Sequence, residues 1–401
     1  MKRIIKIIVI VLLTLIALPI VFFVCTQVWF YASYPIYEFK EPQCFSGDSI
    51  YNPYRNTVPD AWKKCIFHVH TQAWKGATNG ENQSSDIFAV YKSLKYDVVA
   101  ISNYMKVDTA GFHNSDYIPC YEHGYGYGKT HQLVMGNHSP ILWRDYIFVQ
   151  NLSQKQYTID LLKARCELLA INHPDLRYGY TPEDFKYLSN YDIMEVLNGA
   201  RYSFAHWDSA LSHGHTAWLT ANDDAHNVND LSIVQRVAVF VHSPNATRRD
   251  ILDNLACGAA FGVHFPKIAP QWDEKYEAAS GVSFPETITV NHDTLQVVWQ
   301  ETMSEIVFIG DNGKTLAAAT NTNHAHYVIQ PEDTYVRITL KADNGLVYYL
   351  NPVVRSSDGT MPPKQTTAYV HHGKTLLKRT LIAALLLLSC NLWIIIKYKK
   401  R

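Results

Sequence analysis

The hydrophobic pattern divides the chain into two apolar ends and a mixed interior. An apolar run covers residues 7–30, and a shorter one covers residues 380–396. Because a helix needs roughly 20 apolar residues to cross a bilayer, the pattern predicts a transmembrane helix at each position. The first run lacks the short centre and the small-residue cleavage site of a secretory signal peptide.

The charges beside the two runs predict an orientation. Basic residues lie outside both runs: Lys2, Arg3, Lys6, Lys397, Lys399, Lys400 and Arg401. By the positive-inside rule, both termini are cytoplasmic and the interior is periplasmic, in a protein of the cytoplasmic (inner) membrane. Lys374, Lys378 and Arg379 lie on the other side of the second run and oppose this orientation.

After a lead-in at residues 33–62, the interior alternates short apolar runs with helix-like segments over residues 63–282. Runs such as "YDVVAIS" and "RVAVFVHS" are apolar almost throughout, which is typical of buried parallel strands. Helix-like segments include "NATRRDILDNLACG", with Gly258 as a stop signal. The alternation predicts an α/β fold, either a barrel or a layered sheet.

The pattern changes near residue 283. Residues 283–357 alternate with period two and contain Asn-Gly turns at Asn312-Gly313 and Asn344-Gly345. Such turns favour hairpins, so we expect a small all-β domain here. The formal net charge of the chain is zero, and no basic face indicates a nucleic-acid partner.

Candidate ligands for a metal ion occur where predicted strands end. His68 and His70 follow the apolar run in "KKCIFHVHT", and residues two apart on a strand point to one face. Further candidates are Glu122 in "YIPCYEHG", His131 at the start of "HQLVMG", His173 at the end of "LLAINHP", and Asp224 and His226 at the end of "TAWLTANDDAH". The carboxyl ends of strands in α/β proteins converge on one mouth. Imidazole and carboxylate ligands together suit Zn, Mn or Fe.

Two further polar residues end a strand that faces the same mouth. They are Glu195 and Asn198, in the segment "IMEVLNG". Their sequence position leaves two readings equally open: a role at the site, in supporting the ligands or contacting substrate, or no such role.

In this order and spacing, the segments "FHVHT", "YDVVAISNYMKVD", "YIPCYEHG", "HQLVMG", "LLAINHP" and "NDDAH" resemble the PHP (polymerase and histidinol phosphatase) family of metal-dependent phosphoesterases. The likeness covers about residues 63–355 and is greatest to the CehA-type metallohydrolase branch, which carries an extra β-sandwich. It implies a distorted seven-stranded (β/α) barrel, followed by an Ig-like sandwich at 283–357 and flanked by the two transmembrane helices.

The resemblance also implies roles for the candidate ligands. One divalent ion would be held by His68, His70, Glu122 and Asp224, and a second by Glu122, His131 and His173. A third would need His226 together with residues that this chain lacks, because the family's "TDH" reads Ser102-Asn103-Tyr104 and the first motif continues to Lys75 instead of an acid or histidine. We therefore expect two ions. Lys75 either supplies positive charge near the absent third ion or is a solvated loop residue.

These expectations favour a membrane-anchored hydrolase in which two Zn, Mn or Fe ions activate water. Glu122 would bridge the ions, Asp224 would orient the water, and Lys75 would contact the substrate. The chemistry that the family implies is phosphoester hydrolysis, and its CehA-like branch makes carboxyl esters conceivable. The substrate would be a small-molecule, lipid-headgroup or glycan-linked phosphoester. Two other readings remain: a catalytically inactive binding protein, and a structural envelope protein.

Overall fold

The computed structural model describes residues 2–266 and 271–399, and its fold is mixed α/β, as predicted. The helices are α1 (Lys2–Ser33), α2 (Ser84–Ser93), α3 (Leu152–Lys163), α4 (Asp184–Tyr187), α5 (Phe204–Ser212), α6 (Arg248–Cys257), α7 (Trp272–Ser280) and α8 (His372–Lys399). The strands are β1 (Tyr37–Phe39), β2 (Ser49–Tyr51), β3 (Trp62–Ile66), β4 (Val98–Val99), β5 (Cys120–His123), β6 (Gln132–Met135), β7 (Leu168–Ile171), β8 (Ile193–Asn198), β9 (Trp218–Asn222), β10 (Val237–His242), β11 (Ala260–His264), β12 (Pro285–Asn291), β13 (Thr294–Gly310), β14 (Lys314–Val328), β15 (Tyr335–Ala342), β16 (Val347–Leu350), β17 (Val353–Ser356) and β18 (Ala368–Val370).

Strands β5 to β9 form one five-stranded sheet, and β3 and β4 belong to a larger one. Two isolated parallel bridges join the two sheets. Tyr104 pairs with Glu122 beyond the end of β4, and Val69 pairs with Ala225 beyond the ends of β3 and β9. Strand pairing therefore runs in a circuit through β3 to β9, and the bridges that complete it lie at the carboxyl ends of β3, β4 and β9, where the candidate ligands cluster.

The strands predicted for residues 283–357 are present as β12 to β17, but they do not form a sheet of their own. Strand β16 pairs with β11, so that Phe261 lies opposite Leu350 and Val263 opposite Tyr348. One continuous sheet thus runs from β4 through β10 and β11 into the all-β part. Phe261 and Val263 are fully buried, which explains the junction: a separate domain would leave these apolar side chains and the edge of β11 uncovered.

The segments flanking these sheets also contribute strands. In the lead-in, β2 pairs with β17, and β1 pairs with β18, which lies just before α8. Both apolar runs are helical, and α1 is the helix among the described residues that is long and apolar enough to cross a membrane. The predicted second span falls within α8, and its membrane insertion stays a prediction.

The two terminal helices meet where α1 ends and α8 begins. The ammonium of Lys378 donates to the Tyr34 carbonyl at 2.7 Å, and Arg379 donates to the Ser33 carbonyl at 2.8 Å. The last carbonyls of a helix lack partners within it, so basic side chains stabilise that end. Two of the three basic residues that opposed the predicted orientation, Lys378 and Arg379, therefore have a structural role at the end of α1.

Local signals in the sequence explain where helix α6 begins and ends. The Thr247 side chain accepts from the Asp250 amide at its start, and Gly258 ends the helix with φ +82°. A Cβ at Gly258 would lie 2.7 Å from the ring of Trp218, so both the left-handed backbone and the close packing require glycine. The predicted stop at Gly258 is confirmed.

Candidate metal centre

Backbone pairing places the two histidines of the first motif beside Asp224. The Asp224 amide donates to the His68 carbonyl at 3.0 Å, and the His70 amide donates to the Ala225 carbonyl at 3.0 Å. His68 and His70 lie on either side of bridged Val69, so their side chains share a face. The predicted convergence of these sequence-distant residues is observed.

Four side chains meet at one point, which we call the first cluster: His68, His70, Glu122 and Asp224. Glu122 Oε2 lies 3.3 Å from the Nε2 atoms of both histidines. Asp224 Oδ1 lies 3.2 Å from the same two nitrogens. Each carboxylate oxygen thus faces both imidazole nitrogens.

The first cluster fits a metal ion. All four of these atoms are buried and have no hydrogen-bond partner of acceptable geometry. An ion bound at about 2.0–2.1 Å in tetrahedral geometry separates its ligand atoms by about 3.3–3.4 Å, close to the observed nitrogen–oxygen distances. Burying four unpartnered polar atoms together is costly, and one divalent cation would satisfy all of them.

A second cluster shares Glu122 and adds His131 and His173. Glu122 Oε1 lies 2.7 Å from His131 Nδ1 and 3.1 Å from His173 Nε2. Glu122 therefore presents one oxygen to each cluster, the arrangement expected of a bridging carboxylate. All six residues that the resemblance assigns to two ions are brought together in these clusters.

Glu195 supports the ligands. His68 Nδ1 lies 3.0 Å from Glu195 Oε1, which also accepts from Asn222 at 3.0 Å. Glu195 Oε2 accepts from the His173 amide and from the Asn198 side chain, each at 3.0 Å. A carboxylate that accepts from the far nitrogen of a histidine fixes the tautomer, leaving Nε2 free to bind metal. Of the two readings left open by the sequence, the geometry favours a role at the site, in supporting the ligands.

The histidines of the clusters stabilise the ionised forms of Glu122 and Asp224. Burial favours the neutral acid at Glu122, yet the His131 and His68 imidazoles hold the pKa of Glu122 well below its usual range. Burial acts in the same way on Asp224, and His68 and His70 hold the pKa of that carboxyl far below normal. Both acids are thus carboxylates at neutral pH, the form that binds a cation.

Backbone strain marks the same place. Asp224 has φ +54° and His173 has φ +24°, values that non-glycine residues adopt at a cost. Such strain persists where the surroundings hold it, and it is common at functional sites.

Tyr104 stands in place of the histidine that the resemblance expects at a third metal position. The ring of Tyr104 stacks on His70 with centroids 4.5 Å apart, and the His226 ring lies 4.3 Å from His70 and 6.0 Å from Tyr104. His226 Nε2 lies 3.5 Å from Asp224 Oδ1. Burial, followed by His70, lowers the pKa of His226 to about 4. His226 therefore adjoins the first cluster as a neutral imidazole.

Lys75 occupies a short 3₁₀ turn and is exposed. Among the described residues, no hydrogen bond or ion pair involves its ammonium. Its predicted role near the absent ion stays a prediction.

Lys129 is a cation near the clusters that was not predicted from the sequence. Lys129 Nζ lies 5.5 Å from the centroid of the Tyr104 ring, and its charge acts on the nearby His131 imidazole. Lys129 also has φ +56°, and its carbonyl packs where a Cβ at Gly179 would lie, 2.5 Å away. Its position before His131 in "GKTHQ" carried no recognisable motif, so only the folded loop identifies it.

Comparisons with known proteins give limited likenesses. No family model matches the chain, and no curated protein matches it. A two-domain protein from Bacteroides vulgatus, described as containing a predicted PHP-like metal-dependent phosphoesterase, is 12% identical with a TM-score of 0.43, covering 83% of this chain and 100% of its own. PsfC from Pseudomonas syringae is 14% identical with a TM-score of 0.33, covering 49% of this chain and 88% of its own. Because both scores are low, we infer function from the geometry of the two clusters.

Proposed function

We propose that this protein is a membrane-anchored, metal-dependent hydrolase of phosphoesters with a PHP-type barrel and a dinuclear site. The observation that carries the proposal is the convergence of four buried side-chain atoms, which belong to His68, His70, Glu122 and Asp224 and have no hydrogen-bond partner. Each histidine nitrogen lies 3.2–3.3 Å from each carboxylate oxygen. The circuit of strand pairing through β3 to β9 supports the barrel.

A pair of divalent ions supplies positive charge that lowers the pKa of water and stabilises the oxygens of a phosphoryl group during displacement. The residues of the chain position the reactants. Glu122 holds the two ligand sets together through its two oxygens. Asp224 keeps Oδ2 for a proton of the attacking water, and Asn198 steadies that oxygen with a contact of 3.3 Å. Lys129 faces the rim of the site, where an ammonium attracts an anionic ester.

Membrane anchoring rests on α1, which spans 32 residues and is apolar along most of its length. The contacts of Lys378 and Arg379 with the end of α1 place the start of α8 beside it. This neighbourhood supports a second span that re-enters the same membrane, with the clusters in the periplasm and both termini in the cytoplasm.

Metal content per chain tests the proposal directly. The full chain would be purified in nonionic detergent without chelators, beside His68→Ala, Asp224→Ala and, as a matched control, exposed His113→Ala. We expect about two Zn, Mn or Fe ions per chain, fewer in both cluster variants, and unchanged content in the control. Absence of bound metal, even after metal is offered, would contradict the proposal.

Hydrolysis of mono- and bis-(p-nitrophenyl) phosphate by the same samples separates an enzyme from a binding protein. Turnover that follows the metal content supports the hydrolase. Two bound ions without turnover of any phosphoester would instead support the catalytically inactive reading, for which the replacement at Tyr104 is the structural argument.

A further inference from the structure

A cavity of about 1030 Å³ lies between α1 and the candidate metal centre. One wall is the last part of α1, where Phe22, Phe23 and Phe30 line the cavity. The opposite wall includes Trp74 and Trp143. A membrane-spanning segment thus forms part of the approach to the candidate metal centre.

Tyr104 and Lys129 lie at the inner end of this cavity. The Tyr104 ring stacks on His70 of the first cluster at 4.5 Å and meets His131 of the second edge-on at 5.7 Å. Gly124, another lining residue, lies so close to His131 that a Cβ would be 2.3 Å from its ring. The cavity therefore ends directly against ligands of both clusters.

The wall formed by α1 is fixed to the catalytic part by a buried polar residue. Gln27 is 6% exposed in an otherwise apolar helix. Its side chain donates to the Tyr125 hydroxyl at 3.0 Å and to the Asp145 carbonyl at 3.2 Å, and it accepts from the Ile147 amide at 3.1 Å. A buried amide with all these partners specifies one docking position.

Arg144 adds a second attachment. It donates to the Phe30 carbonyl at 3.1 Å and to the Ser33 hydroxyl at 2.8 Å. The helix is therefore held along its last two turns, next to the cavity.

The length of α1 places the cavity at the membrane surface. Its 32 residues extend about 48 Å, longer than the hydrocarbon core of about 30 Å. Counted from the start of the apolar run at residue 7, about 20 residues cross that core, so Phe22 and Phe23 lie in its outer part and Phe30 lies at its surface. Exposed aromatic side chains follow at the same level, with Trp29 64%, Trp143 54% and Phe148 70% exposed, as is typical of membrane–water interfaces.

From this arrangement we infer that the substrate is a lipid phosphoester of the membrane that α1 crosses, which enters with its acyl chain along Phe22, Phe23 and Phe30 and its phosphate toward Lys129. The inference rests on the proposed hydrolase function. The apolar walls match the chain, and the one ammonium in the lining matches the anionic head. In the reaction, water oxygen bonds to phosphorus, the bond from phosphorus to the lipid oxygen breaks, and the lipid alcohol leaves with a proton of the water.

The test compares a lipid with its own headgroup. The probes are dioctanoyl phosphatidic acid and glycerol 3-phosphate, offered to the full chain in nonionic micelles. Thr26 lines the cavity, so Thr26→Phe would fill it. Val28 is 55% exposed and lies about 200° around the helix from Thr26, so Val28→Phe is the matched control.

Two readouts are needed, and the first is binding by metal-free protein in a calorimeter. We expect the lipid to bind at least tenfold more tightly than glycerol 3-phosphate, and Thr26→Phe, but not Val28→Phe, to remove that advantage. The second is hydrolysis by metal-loaded protein, where the ratio of kcat/KM for lipid to that for headgroup should fall at least tenfold in Thr26→Phe.

The outcomes separate this inference from the proposed function. Equal affinity for lipid and headgroup, with intact hydrolysis of soluble phosphoesters, would overturn the lipid inference alone. Lipid binding without hydrolysis of either compound would overturn both, because the lipid would then be a ligand and not a substrate.

Discussion

Replacing Glu195 by glutamine tests whether the site depends on the support beneath its ligands. All four contacts of Glu195 come from hydrogen-bond donors: two on Oε1, from His68 Nδ1 and Asn222, and two on Oε2, from the His173 amide and Asn198. A carboxylate only accepts, whereas an amide has one accepting and one donating end. Whichever way the introduced amide turns, its NH₂ group faces two donors.

The expected loss follows from that mismatch. Outer-shell partners of metal ligands are worth 10- to 100-fold in metal affinity, about 1.4–2.7 kcal/mol. Zinc affinity would be measured by competition with a chromogenic chelator, in the full chain in detergent. The matched control is Glu167→Gln, since Glu167 is a half-exposed partner of Arg248 away from the clusters. An unchanged affinity in Glu195→Gln would refute the argument that this carboxylate orients His68.

Three further predictions concern stability. Arg337 donates twice to buried Asp208 at 2.8 Å. Because Arg337→Met would leave that carboxylate without its charged partner, the free energy of unfolding measured in urea should fall by about 3–5 kcal/mol. A loss below about 1 kcal/mol would contradict this prediction. Burial lowers the pKa of His215 to about 4. Because the unfolded state, with a pKa near 6.5, binds the proton first, the free energy of unfolding should fall by about 3 kcal/mol as pH drops from about 6.5 to 4. An equally steep fall in His215→Gln would exclude this cause. Chelation should lower the melting temperature and zinc should restore it, because ligand at about 1,000 times Kd stabilises by about 4 kcal/mol; insensitivity to both would count against bound metal.

The convergence of His68, His70 and Asp224 could be predicted because these residues follow strand ends, where the direction of the chain is set locally. His68 and His70 follow β3, and Asp224 follows β9, so their convergence needed only the rule that carboxyl ends of such strands meet. The end of helix α6 at Gly258 could likewise be predicted, since capping depends on neighbours in the chain.

Features that depend on contacts between distant segments could not be predicted from the sequence. Lys129 reaches Tyr104 only because a loop with a left-handed backbone presents it there. The docking of α1 through Gln27 requires the 143–151 loop, more than 110 residues away. The continuity of β11 with β16 depends on buried aromatic contacts, such as that between Phe261 and Tyr348. Hydrophobic periodicity predicts that a strand exists, but not which edge it joins.

Tyr104 lies between the first cluster and the cavity beside α1. Random decay of an enzyme would also have damaged the two clusters, yet their six candidate ligands lie together. The phenol ring of Tyr104 extends the apolar wall of the cavity from Trp74 to His70. Burial raises the pKa of Tyr104 well above its usual range, and Glu122 adds to that rise, so the ring stays neutral and Lys129 above it provides the positive charge. Under the proposed lipid specificity, Tyr104 would therefore complete an apolar path from α1 to the two clusters.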